Sequence, residues 1–426
     1  MTNSNDQQAV AVKTRVNAGG KETTKTDRVG SGVTTKTRVP GGSAFARGPW
    51  RARVSRSLLF ALLGTSAAIL SATPTVPAGQ LGAVQYVTGD FNGDGITDLI
   101  VVTASGSYEY LGLSGGGFVP NVWVRTDLTF GKVQYVTGDF NGDGITDLII
   151  VTATGSYEYL GQSNGGFVAN VWVRSDLTLG NVQYVTGSFS DDTGPKSDGF
   201  DYFITDLIIV TNTGSYEYLG QVGGGFVAGA WFRDDLTMGK VQYVTGDFNG
   251  DYITDLIIVT ASGSYEYLGQ RGGGFVPNVW VRTDLTLGNV QYVTGHFNTD
   301  ISTDLIIVTA NGSSEYFGSS GGFVAGPWVR NDLTLGNVQY VTGNFDGDFV
   351  TDLIIVTASG SSEYLNYGPS IGFVAGAWVR NDLTLGKVQY VPGGFRSDAI
   401  TDLIIVTASG TYEYLSSGGG FVPFTP

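Results

Sequence analysis

The chain has 426 residues and a formal charge of −15, with one His and no Cys. Without thiols there is no Cys nucleophile, no disulfide framework and no Cys-ligated metal site, and the lone imidazole of His296 cannot supply a cluster of His ligands. The 65 Gly accompany a 42% hydrophobic fraction, which describes a turn-rich folded β protein rather than a disordered polymer.

Charge divides the chain. Residues 1–56 hold 11 Lys+Arg against 3 Asp+Glu, a net of +8, and the remainder carries −23. The first segment is expected to be a basic, disordered N-terminal region. The acidic body argues against nucleic acid as a partner, because phosphate binding needs clustered cations. Ser57–Ala72 is uncharged and follows Arg51, Arg53 and Arg56. It is short for a membrane span, which needs about 20 residues, and fits the apolar region of a secretory signal. Val76-Pro77-Ala78 offers a cleavage site that would leave Gly79 as the mature start. Residues 57–78 therefore read as a signal peptide, with a retained anchor as the alternative, and the protein as secreted or cell-surface. No later segment could span a membrane.

Residues 79–426 are organised by seven repeats. Thr-Asp-Leu-Ile recurs with its Asp at 98, 147, 206, 255, 304, 352 and 402. Each unit offers four β-type segments bounded by turn residues: Val133–Phe140, Thr146–Thr152, Ser156–Leu160 and Phe167–Arg174 in the second. The Leu-Ile-Ile-Val run should be buried on both faces. Tyr-Glu-Tyr alternates and should leave its Glu wet. Seven four-stranded units of about 50 residues predict an all-β, seven-bladed β-propeller. The last unit stops at Phe421–Pro426, before any Trp-Val-Arg, so the seventh blade should have a ragged fourth strand. Phe45–Trp50 echoes Phe323–Trp328 and could donate that strand if the N-terminal region is retained. The six repeat Trp residues (123, 172, 231, 280, 328 and 378) are expected in the core between blades. Arg125 and Asp127, with their equivalents, are expected as local pairs on one face.

The loops between first and second segments carry the clearest chemistry. Asp90, Asn92, Asp94 and Asp98 place oxygens at positions 1, 3, 5 and 9, with the Ile96 carbonyl at 7. Hard cations such as calcium take six to eight oxygen ligands, and alternate residues of a tight loop can converge on one ion. Blade two repeats the set as Asp139, Asn141, Asp143, Ile145 and Asp147, and blade four as Asp247, Asn249, Asp251, Ile253 and Asp255. Blade six has Asn344, Asp346, Asp348, Val350 and Asp352. These four loops are expected to bind structural calcium. In blade five His296 replaces the first Asp. In blade three an insertion with Asp191, Asp192, Asp198 and Asp201 obscures the register. In blade seven Arg396 should repel a cation.

The Asp-Phe-Asn-Gly-Asp-Gly-Ile-Thr-Asp-Leu run on a repeat of about 49 residues resembles the FG-GAP/VCBS repeat of integrin α-subunit propellers. With Trp-Val-Arg it is also similar to seven-bladed lectins of the Psathyrella velutina type. The resemblance implies a calcium-stabilised propeller. Near-identical clefts between blades suggest multivalent carbohydrate binding, with glycans or cell-surface glycoproteins as partners. A calcium-dependent adhesion platform is the alternative. No enzyme is expected, since every carboxylate recurs with the repeat rather than forming a unique constellation.

Overall fold

The computed structural model describes residues 77–192 and 203–425; the chain divides into Met1–Ala68 and Ile69–Pro426, and all described residues lie in the second unit. The expected basic region, the uncharged run and the Phe45–Trp50 echo lie outside the described residues, as do Asp198 and Asp201.

Blade one consists of β1 (Gln85–Gly89), β2 (Asp98–Thr103), β3 (Gly106–Gly112) and β4 (Phe118–Arg125), an antiparallel meander in sequence order. Six further sheets of four strands repeat it, and no helix occurs among the described residues. The seven-bladed propeller stands. A two-residue turn joins β2 to β3 through the Thr103–Gly106 pair. Gly106 sits at φ 147°, where a Cβ would lie 2.8 Å from the Arg125 carbonyl oxygen, so the residue must be Gly.

The continuous apolar second strand follows from the ring. Ile100 and Val102 pack toward blade two, in a cluster with Trp123, Val133, Tyr135 and Ile150. Leu99 and Val101 face the other way, against Val391, Phe395, Ile404 and Val406 of blade seven, which closes the ring. The expected place of the Trp residues between blades holds: Trp123 packs edge-on to Phe167 of blade two at 5.2 Å between ring centroids. Backbone links add to this packing. The Thr146 amide donates to the Asp90 carbonyl at 2.8 Å, and the Asp90 amide donates to the Thr146 hydroxyl at 3.1 Å.

The seventh blade is ragged as expected. Its outer strand, Phe421–Pro423, spans three residues where the outer strands of the other blades span seven or eight. Blade three resolves its register: Ser188 and Ser190 stand at loop positions 1 and 3, and Asp206 at 9, with the insertion between them.

Candidate functional sites

In the blade-one loop the side-chain oxygens fold the backbone around themselves. Asp90 Oδ1 accepts from the amides of Gly93 (2.7 Å) and Asp94 (3.1 Å), and Oδ2 from Gly95 (2.8 Å). Asn92 Oδ1 accepts from the Asp94 amide at 2.9 Å and Asp94 Oδ1 from the Ile96 amide at 2.9 Å. The same bonds recur around Asp139, Asn141 and Asp143, and around Asp247, Asn249 and Asp251. In blade six they run from Asn344, Asp346 and Asp348 to the amides of Gly347, Asp348 and Val350.

The ninth residue is placed differently. Asp98 is fully buried, and its two oxygens accept from the amides of Phe91 and Gly112, each at 2.8 Å. It pins the loop and the end of β3 to the start of β2. Asp147, Asp255 and Asp352 do the same in their blades. Burial, with added repulsion from Asp94 and Asp90, pushes the Asp98 carboxyl up to about 7. Asp147 is pushed to about 8 for the same reasons. Among the described residues, no three His, Cys, Asp or Glu side chains are grouped to hold a metal ion. Asn and backbone carbonyls are the remaining donors of these loops.

Blade seven tests whether such a loop accepts positive charge. Arg396 occupies position 3, and its guanidinium reaches Asp402, the ninth residue, at 2.7 and 3.0 Å and Asp398, the fifth, at 3.1 Å. A built-in cation thus draws the fifth and ninth carboxylates to one centre. In blade five His296 faces the Ser302 carbonyl through Nδ1 at 3.1 Å, while the Asp300 amide still donates to Asn298 Oδ1, at 2.7 Å.

The Glu of each third strand is not wet, contrary to the alternation pattern. Glu109 is 1% exposed. A register shift between Tyr108 and Tyr110 bulges the strand pair, and the carboxylate accepts from Asn121 Nδ2 at 2.9 Å and from the amide of Gly166, in the next blade, at 2.8 Å. Glu413 binds the Gly117 amide at 3.0 Å in the same way and ties blade seven to blade one. Glu363 and Glu266 are less well served. Both oxygens of Glu363 and one of Glu266 are buried without a partner.

Pockets open between blades around the Arg–Asp pairs. One, of about 230 Å³, is lined by Arg125, Asp127, Thr152, Thr154, Tyr157 and Tyr159. Equivalent pockets are built on Arg174, Arg282 and Arg380. Arg125 binds Asp127 through two bonds of 2.9 and 2.7 Å, donates to Tyr159 Oη at 3.2 Å and lies 5.7 Å from that ring's centroid. The Arg125 side chain is 30% exposed and Asp127 62%, so both present polar atoms to the pocket. The guanidinium holds the Asp127 carboxyl below its ordinary range. Sequence spacing places the pair on one face; the neighbouring Tyr comes from the next blade, and nothing within one repeat reveals it.

Residues 90–150 match the FG-GAP-like repeat and residues 136–171 the FG-GAP repeat. Residues 90–171 thus carry FG-GAP repeats. Among solved structures, this propeller is similar to an Agrocybe aegerita lectin studied for specific recognition of non-reducing terminal N-acetylglucosamine. The TM-score is 0.57 at 16% identity, over 77% of this chain and 86% of that one. A structure of BBS1N in complex with ARL6DN scores 0.44 at 11% identity, over 80% and 95%. SapL1 lectin in complex with alpha methyl fucoside scores 0.41 at 13% identity, over 72% and 98%. No curated protein matches the chain by sequence. At these identities the likeness is one of fold.

Proposed function

We propose that this FG-GAP propeller is an exported, calcium-stabilised, multivalent carbohydrate-binding protein that acts by binding rather than by catalysis. The observation that carries the reading is the recurrence of one pocket: an Arg–Asp pair from one blade facing Tyr and Thr side chains of the next. A sugar ring offers hydroxyls that both donate and accept, beside an apolar C–H face. Guanidinium donors, a carboxylate acceptor and aromatic walls complement both. Shallow sites repeated around a ring gain strength against clustered glycans by multivalency. The likeness to a lectin propeller points to the same class of ligand.

Calcium is proposed for the loops of blades one, two, four and six. The fit is argued from donor chemistry and from Arg396, whose charge satisfies the matching carboxylates of blade seven. Asp90, Asn92, Asp94 and their equivalents would hold the ion with the position-7 carbonyl. Asp98 and its equivalents would share an oxygen that already accepts a backbone amide. The ion would brace loops in a chain without disulfides.

The test is a glycan array with the calcium-loaded full chain, followed by titration calorimetry with the best monosaccharide. Arg174→Ala should weaken avid binding while leaving the fold intact. Silence across broad arrays would remove the reading. A second reading, an adhesion platform, is favoured by the exposed aliphatic side chains of the outer strands, Val122 at 83% and Val171 at 85%. Changing both to Ser should then abolish binding of a protein partner and spare glycan binding.

A further inference from the structure

The pockets around the Arg–Asp pairs are not all alike. Those on Arg125, Arg174 and Arg380 measure about 230, 260 and 270 Å³, whereas the one on Arg282, between blades four and five, measures about 400 Å³. Cavities that enclose small ligands start near about 300 Å³. Of these four pockets, the one on Arg282 alone reaches that range.

Two substitutions in blade five open it. In the narrow pockets a Tyr of the third strand forms one wall, and its hydroxyl is tied to the preceding hairpin: Tyr157 to Thr154 at 3.1 Å, Tyr216 to Thr213 at 3.0 Å and Tyr412 to Ser409 at 3.4 Å. Blade five has Ser314 at the Tyr position and Asn311 at the hairpin position, and both line the wide pocket. Ser314 faces Val329 across the sheet as Tyr157 faces Val173, so the register is kept and the ring alone is missing. The hairpin changes with it. The Thr152 and Thr154 hydroxyls bond at 2.9 Å, but Thr309 has no such side-chain partner and donates to the Gly312 carbonyl at 3.3 Å. Asn311 is exposed, and its side chain bonds to no other described residue. Arg282 donates to Tyr316 Oη at 3.5 Å, against 2.8 Å for Arg380 and Tyr414. The Arg282 pocket thus trades an aromatic wall for width and for uncommitted polar groups. Asp284, whose side chain is 64% exposed, keeps a negative charge at its edge.

We propose that the Arg282 pocket takes a neutral two-ring sugar unit, while the Tyr-walled pockets take a single ring, so that Ser314 and Asn311 give the propeller a second ligand specificity. This rests on the carbohydrate-binding reading. In a narrow pocket the Tyr ring covers the apolar face of one sugar. In the wide pocket a second ring fills the space that the Tyr vacates. Its hydroxyls meet Asn311, Ser314 and Thr309, each of which can both donate and accept. The exposed Asp284 carboxylate repels an acidic sugar and selects for a neutral one.

The test exchanges the two kinds of wall in the full chain. Ser314→Tyr with Asn311→Thr closes the wide pocket, and Tyr157→Ser with Thr154→Asn opens a narrow one. Each exchange installs a residue pair that another blade already carries at the same positions, so both variants should fold, as a thermal melt will show. The probes are neutral methyl glycosides and the disaccharides that end in the same sugars, titrated by calorimetry. The ratio of disaccharide to methyl glycoside affinity should fall about tenfold in the closed variant, the loss expected for one or two hydrogen bonds. It should rise in the opened one. A ratio unchanged in both variants, with the glycosides still bound, would overturn this inference and leave the carbohydrate reading standing. A preference of the parent for acidic over neutral disaccharides would also overturn it. Failure of every glycoside and disaccharide to bind would remove the carbohydrate reading and this inference with it.

Discussion

Half-buried Arg396 and fully buried Asp402 form a two-pronged ion pair, 2.7 and 3.0 Å long, with the Arg at the loop position where the other blades have Asn, Ser or Asp. Asp402 is fully buried and also accepts the Ser416 amide at 2.8 Å. Removing the guanidinium strands a buried carboxylate. Arg396→Ala should therefore cost about 3 kcal/mol at neutral pH, read as a lowered denaturant midpoint. The cost should shrink at pH 4, where the stranded carboxyl protonates. An unchanged midpoint at pH 7 would show that the pair contributes nothing.

If the four acidic loops bind calcium, the ion must raise stability by mass action. At a free concentration of about 100 times the dissociation constant, each site contributes about 2.7 kcal/mol. Thermal melts of the full chain with calcium and with chelator should differ by several degrees, and Asp143→Ala should reduce the difference without removing it. Identical melts would end the calcium proposal.

The buried Glu ring predicts a pH dependence of a less usual sign. Burial pushes Glu266, Glu315 and Glu413 up to about 7, against about 4.5 for the free side chain. A raised carboxyl favours the folded state while protonated. Its contribution is complete below pH 4.5 and is lost as pH rises through 7. Glu266→Gln supplies a neutral side chain where one carboxylate oxygen has no partner. Its stability relative to the parent should climb between pH 5 and pH 8 by an amount on the order of 3 kcal/mol. A flat difference across that range would assign Glu266 an ordinary pKa.

Loop position 6 has a left-handed backbone in blades one, two, four, six and seven. Gly95 has φ 80° and Gly144 83°, whereas Tyr252, Phe349 and Ala399 adopt 70°, 69° and 61° with a Cβ. Tyr252 is 60% exposed, so little packing is lost on its removal. Tyr252→Gly should stabilise the protein by about 1 kcal/mol through relief of that strain. A loss of stability would mean that the ring makes contacts worth more than the strain.

The architecture was legible because the pattern is redundant. Seven copies of Thr-Asp-Leu-Ile, each followed by Tyr-Glu-Tyr or Ser-Glu-Tyr and a Gly turn, leave one arrangement that buries the second strand on both faces. The Trp positions followed for the same reason. Glu109 was misread because two-residue alternation describes an isolated strand. In the ring, a bulge and the Gly166 loop of the next blade cover it, and its donors lie 12 and 57 residues away. Asp98 shares a spacing with the loop oxygens, yet belongs to the second strand and answers to Phe91 and Gly112. Clefts between blades followed from the repeat, but their lining did not, for the reason that hid the Glu: each is made from two repeats, and periodicity reports only what lies within one.

The edge-on contact of Trp123 with Phe167 has a consequence for assembly during folding. The same Trp–Phe contact joins each blade from the first to the sixth to its successor. These joints are nearly interchangeable, so a half-formed ring has little to tell one neighbour from another. The joint between blades seven and one differs: it keeps the Phe–Phe contact of the other joints, Phe118 on Phe395 at 5.4 Å, but among the described residues no Trp takes part. That mismatch serves as a bookmark. It distinguishes the proper ends of the array from its middle and disfavours rings that skip or borrow a blade.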